Sequence, residues 1–200
     1  GRQPVGMDAD TAKLFPQRFD SSPLGPVPRG WLVRPIGDVV EVVGGSTPST
    51  TEPRLWGGPH CWATPKDLSD GNRPILSETA RKITDEGLAG ISSGTLLPGS
   101  VLLSSRAPIG YVAVAHIPVA INQGFIGMRC EGILPTHYVY FFVHERMPDI
   151  IARASGTTFL EVSKAAFRPM PVIVPEPEVL ELFERNVAAL FASIASHVAA

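Results

Sequence analysis

The run Gly99-Ser100-Val101-Leu102-Leu103-Ser104-Ser105, with Gly110-Tyr111-Val112-Ala113-Val114-Ala115 and Val119-Ala120-Ile121-Asn122-Gln123-Gly124-Phe125 after it, decides the fold class. Each stretch is short, apolar and bounded by Gly or Pro, the pattern of strands in a curled β-sheet or barrel. Upstream, Trp31–Ile36 and Val39–Val43 are β-branched segments parted by Gly37-Asp38, which predicts a strand or short-helix pair. Met170-Pro171-Val172-Ile173-Val174 predicts a last buried strand. Between the strands, Pro135 to Ala154 reads as one helix with Tyr138, Phe141, Phe142, Met147 and Ile151 roughly on one face. Lys66 to Glu86 is polar, with room for a short helix around Ser77 to Arg81. At the end, Leu180, Phe183, Val187, Leu190 and Ile194 recur in steps of three and four, the a/d seam of a coiled coil. Glu176, Glu178 and Glu181 sit where the dipole of that helix favours anions. Too few heptads are present for stability alone, so the helix needs a partner. The expected class is α+β: a curled, β-rich body followed by a protruding C-terminal coiled-coil helix.

The chain has 200 residues, enough for one domain with a real core. Hydrophobic residues make up 44% and charged ones 18%, a globular rather than disordered balance. The 19 Gly and 20 Pro, without a Gly-X-Y period, argue for many turns between short strands. A net charge of −2 argues against a stand-alone nucleic-acid binder, which normally carries Lys and Arg in excess to meet phosphates. Cys61 and Cys130 are far apart and lack companions at ligand spacing, so neither a disulfide framework nor a zinc site is signalled, and a reducing cytoplasm is expected. No apolar run reaches membrane-spanning length, and no signal peptide is visible. Residues 1–29 carry five prolines and read as a linker, and a first residue of Gly rather than Met predicts a processed or cut fragment.

Several phrases occur together and in order: Gly30-Trp31, Ile36-Gly37-Asp38-Val39, Gly44-Gly45-Ser46-Thr47-Pro48-Ser49, Trp56-Gly57-Gly58 and Trp62-Ala63-Thr64-Pro65-Lys66-Asp67-Leu68. Leu102 to Gly110, Ala120 to Phe125 and Ala154-Ser155-Gly156-Thr157-Thr158 continue the series. From about Gly30 onward the chain resembles the target-recognition domain of type I restriction-modification specificity subunits. The resemblance implies a non-catalytic, cofactor-free reader of one half of a bipartite double-stranded DNA target. It implies two recognition domains separated by long helices that pair antiparallel and dock methyltransferase subunits, and restriction subunits through them. By this resemblance residues 1–29 are a leader, 30–175 the target-recognition domain and 176–200 the start of a spacer helix. The second recognition half then lies in the same chain or comes by dimerisation.

Bases are told apart by donors and acceptors brought to groove edges, so Arg, Lys, Asn, Gln, Ser and Thr in polar loops are the candidates. Lys66, Asn72, Arg73, Arg81 and Lys82 fall in one polar stretch, although Asp67, Asp70 and Glu78 offset much of its charge and a plain solvated loop fits as well. Ser105 and Arg106 close a strand that offers Arg106 to phosphate or guanine, with framework or phosphate contact the better fit; Gln123 beside Asn122 suits adenine or a buried hydrogen-bond network. Thr157, with Lys164 further on, suits phosphate or an ordinary turn and helix cap. Trp56 and Trp62 fit core or loop anchors better than stacking platforms for an extruded base. The five histidines share no spacing.

The chemistry that is missing sharpens the reading. No Asp/Asn-Pro-Pro-aromatic phrase or Gly-rich methyl-donor turn is present, nor a Walker lysine loop or a metal-nuclease cluster. Ser46 and Ser104 lack a Gly-X-Ser-X-Gly setting, which leaves a small hydrolase as the weakest reading. The main alternative is a protein-interaction scaffold without base readout. It accommodates the near-neutral charge but leaves the amide-rich loops on one body unexplained.

Overall fold

The computed structural model describes residues 7–69, 74–157 and 159–198, with residues 197 and 198 described as backbone only. In chain order the first half holds α1 (Ala9–Lys13), β1 (Phe19–Ser22), β2 (Gly25–Pro28), β3 (Leu32–Pro35), α2 (Ile36–Val39), β4 (Glu41–Gly44), β5 (Trp56–Ala63), β6 (Ile75–Leu76), β7 (Arg81–Ile83) and α3 (Asp85–Ala89). The second half holds β8 (Val101–Ser105), β9 (Ile109–Ala115), β10 (Val119–Ile121), β11 (Phe125–Arg129), α4 (Thr136–Glu145), α5 (Met147–Ala152), α6 (Lys164–Phe167), β12 (Pro171–Val174) and α7 (Pro177–Val198). The strands gather into open sheets rather than a closed barrel. A five-stranded sheet has the order β4-β11-β8-β9-β6, and a three-stranded one the order β10-β5-β7. The pairs β1-β2 and β12-β3 stand apart.

Side-chain alternation along the central strands builds the layers. Val101 and Leu103 of β8, Val112 and Val114 of β9, and Ile126 and Met128 of β11 share one buried cluster with Val139, Val143, Ile150 and Phe167 from the helices. The intervening Leu102, Ala113, Ala115 and Phe125 meet Ala63, Val119 and Ile121 of the three-stranded sheet. On that sheet's outer face Trp62, Ile83 and Ala120 close over Ile91. The central strands of the five-stranded sheet are therefore buried on both faces and read as continuous apolar runs for that reason.

Three local expectations need correction. The segment 136–152 is two helices, because Pro148 has no N–H to donate and its ring crowds the preceding turn, so α4 ends at Glu145 with Arg146 as its cap. No helix forms around Ser77 to Arg81. The Ala80 N–H is claimed by the Asp67 carboxylate at 2.7 Å, and Arg81 opens β7. The leader, expected as a linker, contains the β1-β2 hairpin and buries Val27.

The α7 helix divides its apolar seam between two environments. Val179, Leu180 and Phe191 are buried against the body. Phe183 meets Tyr138 and Phe141 edge-on at 5.7 and 6.0 Å, and Phe191 meets His137 and Tyr140 at 4.3 and 5.1 Å. Leu190 remains 64% exposed and Ile194 37%. Among the described residues no helix is long and apolar enough to cross a membrane.

Candidate nucleic-acid interface

Four strand ends meet at one rim of the five-stranded sheet. Gly44 at the end of β4 pairs with Ile126 near the start of β11, Phe125 pairs with Ser104 near the end of β8, and Ser105 pairs with Ile109 at the start of β9. The loops leaving these ends, Gly44 to Ser49, Asn122 to Gly124 and Arg106 to Pro108, therefore share one side of the molecule. They are locked together. The Thr47 hydroxyl bonds the Gln123 side-chain amide, and Ser46 N–H donates to the Ile121 carbonyl at 3.1 Å. Gly45 must lack a side chain, because a Cβ there would collide with that same carbonyl. Asn122 caps its own turn by accepting from Gly124 N–H at 2.9 Å, which leaves the exposed Gln123 as the outward amide.

The turn carrying Lys66 joins this rim. Asn122 N–H donates to Ala63 carbonyl at 3.0 Å, and Pro65 packs over Gly124. Asp67 holds the turn from both sides: one carboxylate oxygen accepts from Thr64 N–H and its hydroxyl at 2.7 and 2.8 Å, the other from Ala80. Its negative charge is thus structural, and Lys66 projects exposed beside it. Next along the rim, Arg106 faces Glu161 at 3.4 Å with a third of its side chain exposed. Such a half-open pair contributes about 0–1 kcal/mol, so the guanidinium can exchange its carboxylate for a phosphate or a guanine edge. Glu161 and Ser155 exchange two backbone bonds of 3.0 and 2.9 Å, and Val162 N–H donates to Ser105 carbonyl at 3.0 Å. The loop they close presents Thr157 to solvent, with Phe159 and Leu160 exposed beyond it.

The expected residues therefore sort by place. Lys66, Arg106, Gln123 and Thr157 are brought together. Arg81 stands on an adjoining wall, its guanidinium 3.5 Å above the Trp56 ring and 5.2 Å from that of Trp62. Lys82 points away from this wall, because its neighbours Arg81 and Ile83 occupy the tryptophan face and alternation sends it to the other. Lys164 lies over Gly44 in a separate groove with Ser92, Ser93 and Arg168, and none of residues 155–157 lines that groove. Ser105 is corrected: its side chain is buried as a strand residue and does not face solvent. Asn72 and Arg73 lie outside the described residues. Trp56 and Trp62 donate their indole N–H groups to the Ser49 and Ser46 carbonyls at 3.0 and 3.1 Å, so both anchor the Gly44–Ser49 loop. The sequence reading missed Thr47 and Arg168. A hydroxyl in the Gly44–Ser49 loop was a visible signal for the first; the lone Arg168 before a proline carried none. Among the described residues no cluster suited to a metal ion occurs.

Residues 28–181 match the family described as the type I restriction modification DNA specificity domain. The specificity subunit of the type I restriction enzyme MjaIX from Methanocaldococcus jannaschii is 37% identical over 162 residues, covering 80% of this chain and 38% of that protein. The HindI specificity subunit from Haemophilus influenzae is 23% identical over 194 residues, covering 92% of this chain and 41% of that protein. The chain thus spans about two fifths of the length of these relatives. Two solved chains share the fold. The HsdS subunit of Thermoanaerobacter tengcongensis aligns with a TM-score of 0.62 and 22% identity over 94% of this chain and 42% of that one. A chain from a study of complex assembly and conformational transition in a type I R-M system aligns with a TM-score of 0.62 and 21% identity, over 95% and 46%. With the profile spanning the body from Pro28 to the first turn of α7, the chain belongs to the family of type I restriction-modification DNA specificity domains.

Proposed function

We propose that this chain reads one half of a bipartite duplex DNA target from the rim formed by Lys66, Thr47, Gln123, Arg106 and Thr157, and performs no chemistry itself. The observation that carries this reading is the convergence on one sheet end of an amide fixed by a hydroxyl, a half-open guanidinium, an exposed lysine and a second loop hydroxyl. Preorganised donors of this kind discriminate base edges at little entropic cost. Arg81 on its tryptophan wall extends the same surface. In this reading residues 30–175 are the recognition unit, 1–29 its leader and 176–200 the start of a spacer helix. Methyltransferase subunits dock alongside, with restriction subunits joining through them. The exposed Phe159, Leu160 and Ile151 and the outer face of α7 at Leu190 and Ile194 support such a partner. The net charge of −2 fits a reader whose partners supply much of the phosphate grip. The greater length of the relatives favours a second recognition half in the same polypeptide over dimerisation.

The test is selection of bound sequences from random duplex DNA by a full specificity subunit assembled with its modification partner. A short defined half-site is expected, lost when residues 30–170 are exchanged and relaxed by Arg106→Ala or Gln123→Ala. DNA retained without any preference would place recognition elsewhere and leave the scaffold alternative.

A further inference from the structure

A groove of about 510 Å³ runs along the edge strand β4, walled by Gly37, Glu41, Val42–Gly44, Ser92, Ser93, Lys164 and Arg168. Its charge is one-sided. Among the described residues Glu41 is the one acid lining it, and the Arg129 guanidinium, itself bonded to the Ser93 carbonyl, takes that carboxylate at 2.6 Å. Arg168 donates to the Val42 carbonyl at 2.6 Å, a bond that fixes the guanidinium without neutralising it. Lys164 is exposed, lies across Gly44 and has no carboxylate partner among the described residues. The backbone makes room for both cations. A Cβ on Gly37 would stand 2.9 Å from Arg168 Cβ, and one on Gly44 would stand 2.9 Å from Lys164 Nζ. Ser92 adds an exposed hydroxyl on the facing wall.

We infer that this groove seats a backbone phosphate of the DNA duplex, held by Lys164 and Arg168 with Ser92 in support. The inference rests on the reading of the chain as a DNA reader and assigns it a second contact class, one that positions without specifying. Its location fits. Gly44 closes β4 beneath Lys164, and Thr47 on the rim follows three residues later, a reach of at most about 10 Å of chain. The major groove is about 8.5 Å deep, so a duplex with a base edge at Thr47 and Gln123 has its phosphates within range of the groove. A chain with net negative charge then still holds DNA in register, because two cations without a carboxylate partner among the described residues line the groove where the backbone passes.

The experiment measures binding of the chain to short mixed-sequence duplexes by fluorescence anisotropy across a salt series, for wild type, Lys164→Gln and Ser92→Asp. Both positions are exposed, so unchanged urea midpoints are expected and confirm folding; Ser92→Asp carries the test if Lys164→Gln does not fold. Losing one phosphate contact lowers the slope of log affinity against log salt by about 0.9, so the affinity change between about 50 and 200 mM salt shrinks about 3.5-fold for Lys164→Gln. Ser92→Asp is expected to weaken low-salt binding of every sequence alike. Wild-type binding with slope and affinity untouched by either substitution overturns the phosphate seat and leaves the DNA-reader assignment standing. Absence of DNA binding by wild type, alone and in the modification complex, overturns both. Titration with inorganic phosphate separates the remaining source: saturation abolished by Lys164→Gln, without any change in DNA slope, marks a free-anion site and also overturns the proposal.

Discussion

The Nδ1 atom of His137 stands 2.7 Å from Oε1 of Glu184, and the His137 backbone N–H donates to the other oxygen of the same carboxylate at 3.2 Å. One acidic side chain of α7 thereby takes two donors from the first turn of α4, where the orphan N–H groups of a helix need partners. Glu184→Ala leaves a mostly buried imidazole and a backbone N–H unpaired. A loss of about 1–3 kcal/mol is expected, read from the urea midpoint, and amide exchange at His137 should accelerate. An unchanged midpoint and exchange rate would show that water replaces the carboxylate freely.

Neighbouring residues of α7 should respond in opposite ways. Phe191 is buried among His137, Tyr140 and Phe141, so Phe191→Ala is expected to cost about 3–5 kcal/mol through the cavity it leaves. Leu190, one position earlier, is 64% exposed, and Leu190→Glu should shift stability within about 0.5 kcal/mol. Thermal denaturation of both variants checks the pair; comparable losses would mean that the outer face of α7 is already covered.

Asp67 is the clamp on the Lys66 turn, and Asp67→Ala removes a capping box together with the acceptor for Ala80. The expected loss is about 1–2 kcal/mol. The more telling readout is local: exchange at Thr64 and Ala80 should rise well above that of the central strands. Uniform protection across the chain would refute the clamp.

Alkaline pH should weaken the fold through two half-buried groups. Burial pushes the Tyr138 phenol up to about 12, with its hydroxyl donating to the Ile173 carbonyl at 2.9 Å, and pushes the Cys130 thiol up to about 12. In the unfolded chain these groups ionise near 10 and 8.5, so the folded state alone keeps them neutral. Their contribution is whole below the unfolded values and fades as pH rises toward 12. Urea midpoints should fall between pH 10 and 12 less steeply in Tyr138→Phe than in wild type. For Cys130, alkylation at pH 8 should run on the order of 10³-fold slower than for a free cysteine, because so little thiolate is present.

The central strands were legible because each is a short apolar run cut off by Gly or Pro, and a sheet buried on both faces leaves no other pattern. The order of phrases from Gly30 onward carried the family. What stayed hidden was held by distant partners. Asp67 reaching Ala80 turned an expected helix into a strand entrance, and no local pattern announces a carboxylate thirteen residues away. Pro148 was the visible break in the 135–154 segment, outweighed by the aromatic periodicity around it. Within the site, Gln123 and Arg106 could be named from residue type, but only strand pairing shows that they share a rim. Ser105 looked polar and available; its register in β8 turns it inward.

The aromatic contacts of α7 have a geometrical result. Phe183 and Phe191 rest on the body about 12 Å apart along the axis, and two fixed points define a line as well as a position. The body therefore aims the helix. A change of ring size that shifts one support by about 1 Å swings the axis by about 5°, carrying the Val198 end roughly 2 Å sideways over the fifteen residues beyond Phe183. Small substitutions in a patch of aromatic packing, far from any base, would then alter where everything attached to that helix stands relative to the DNA-facing rim.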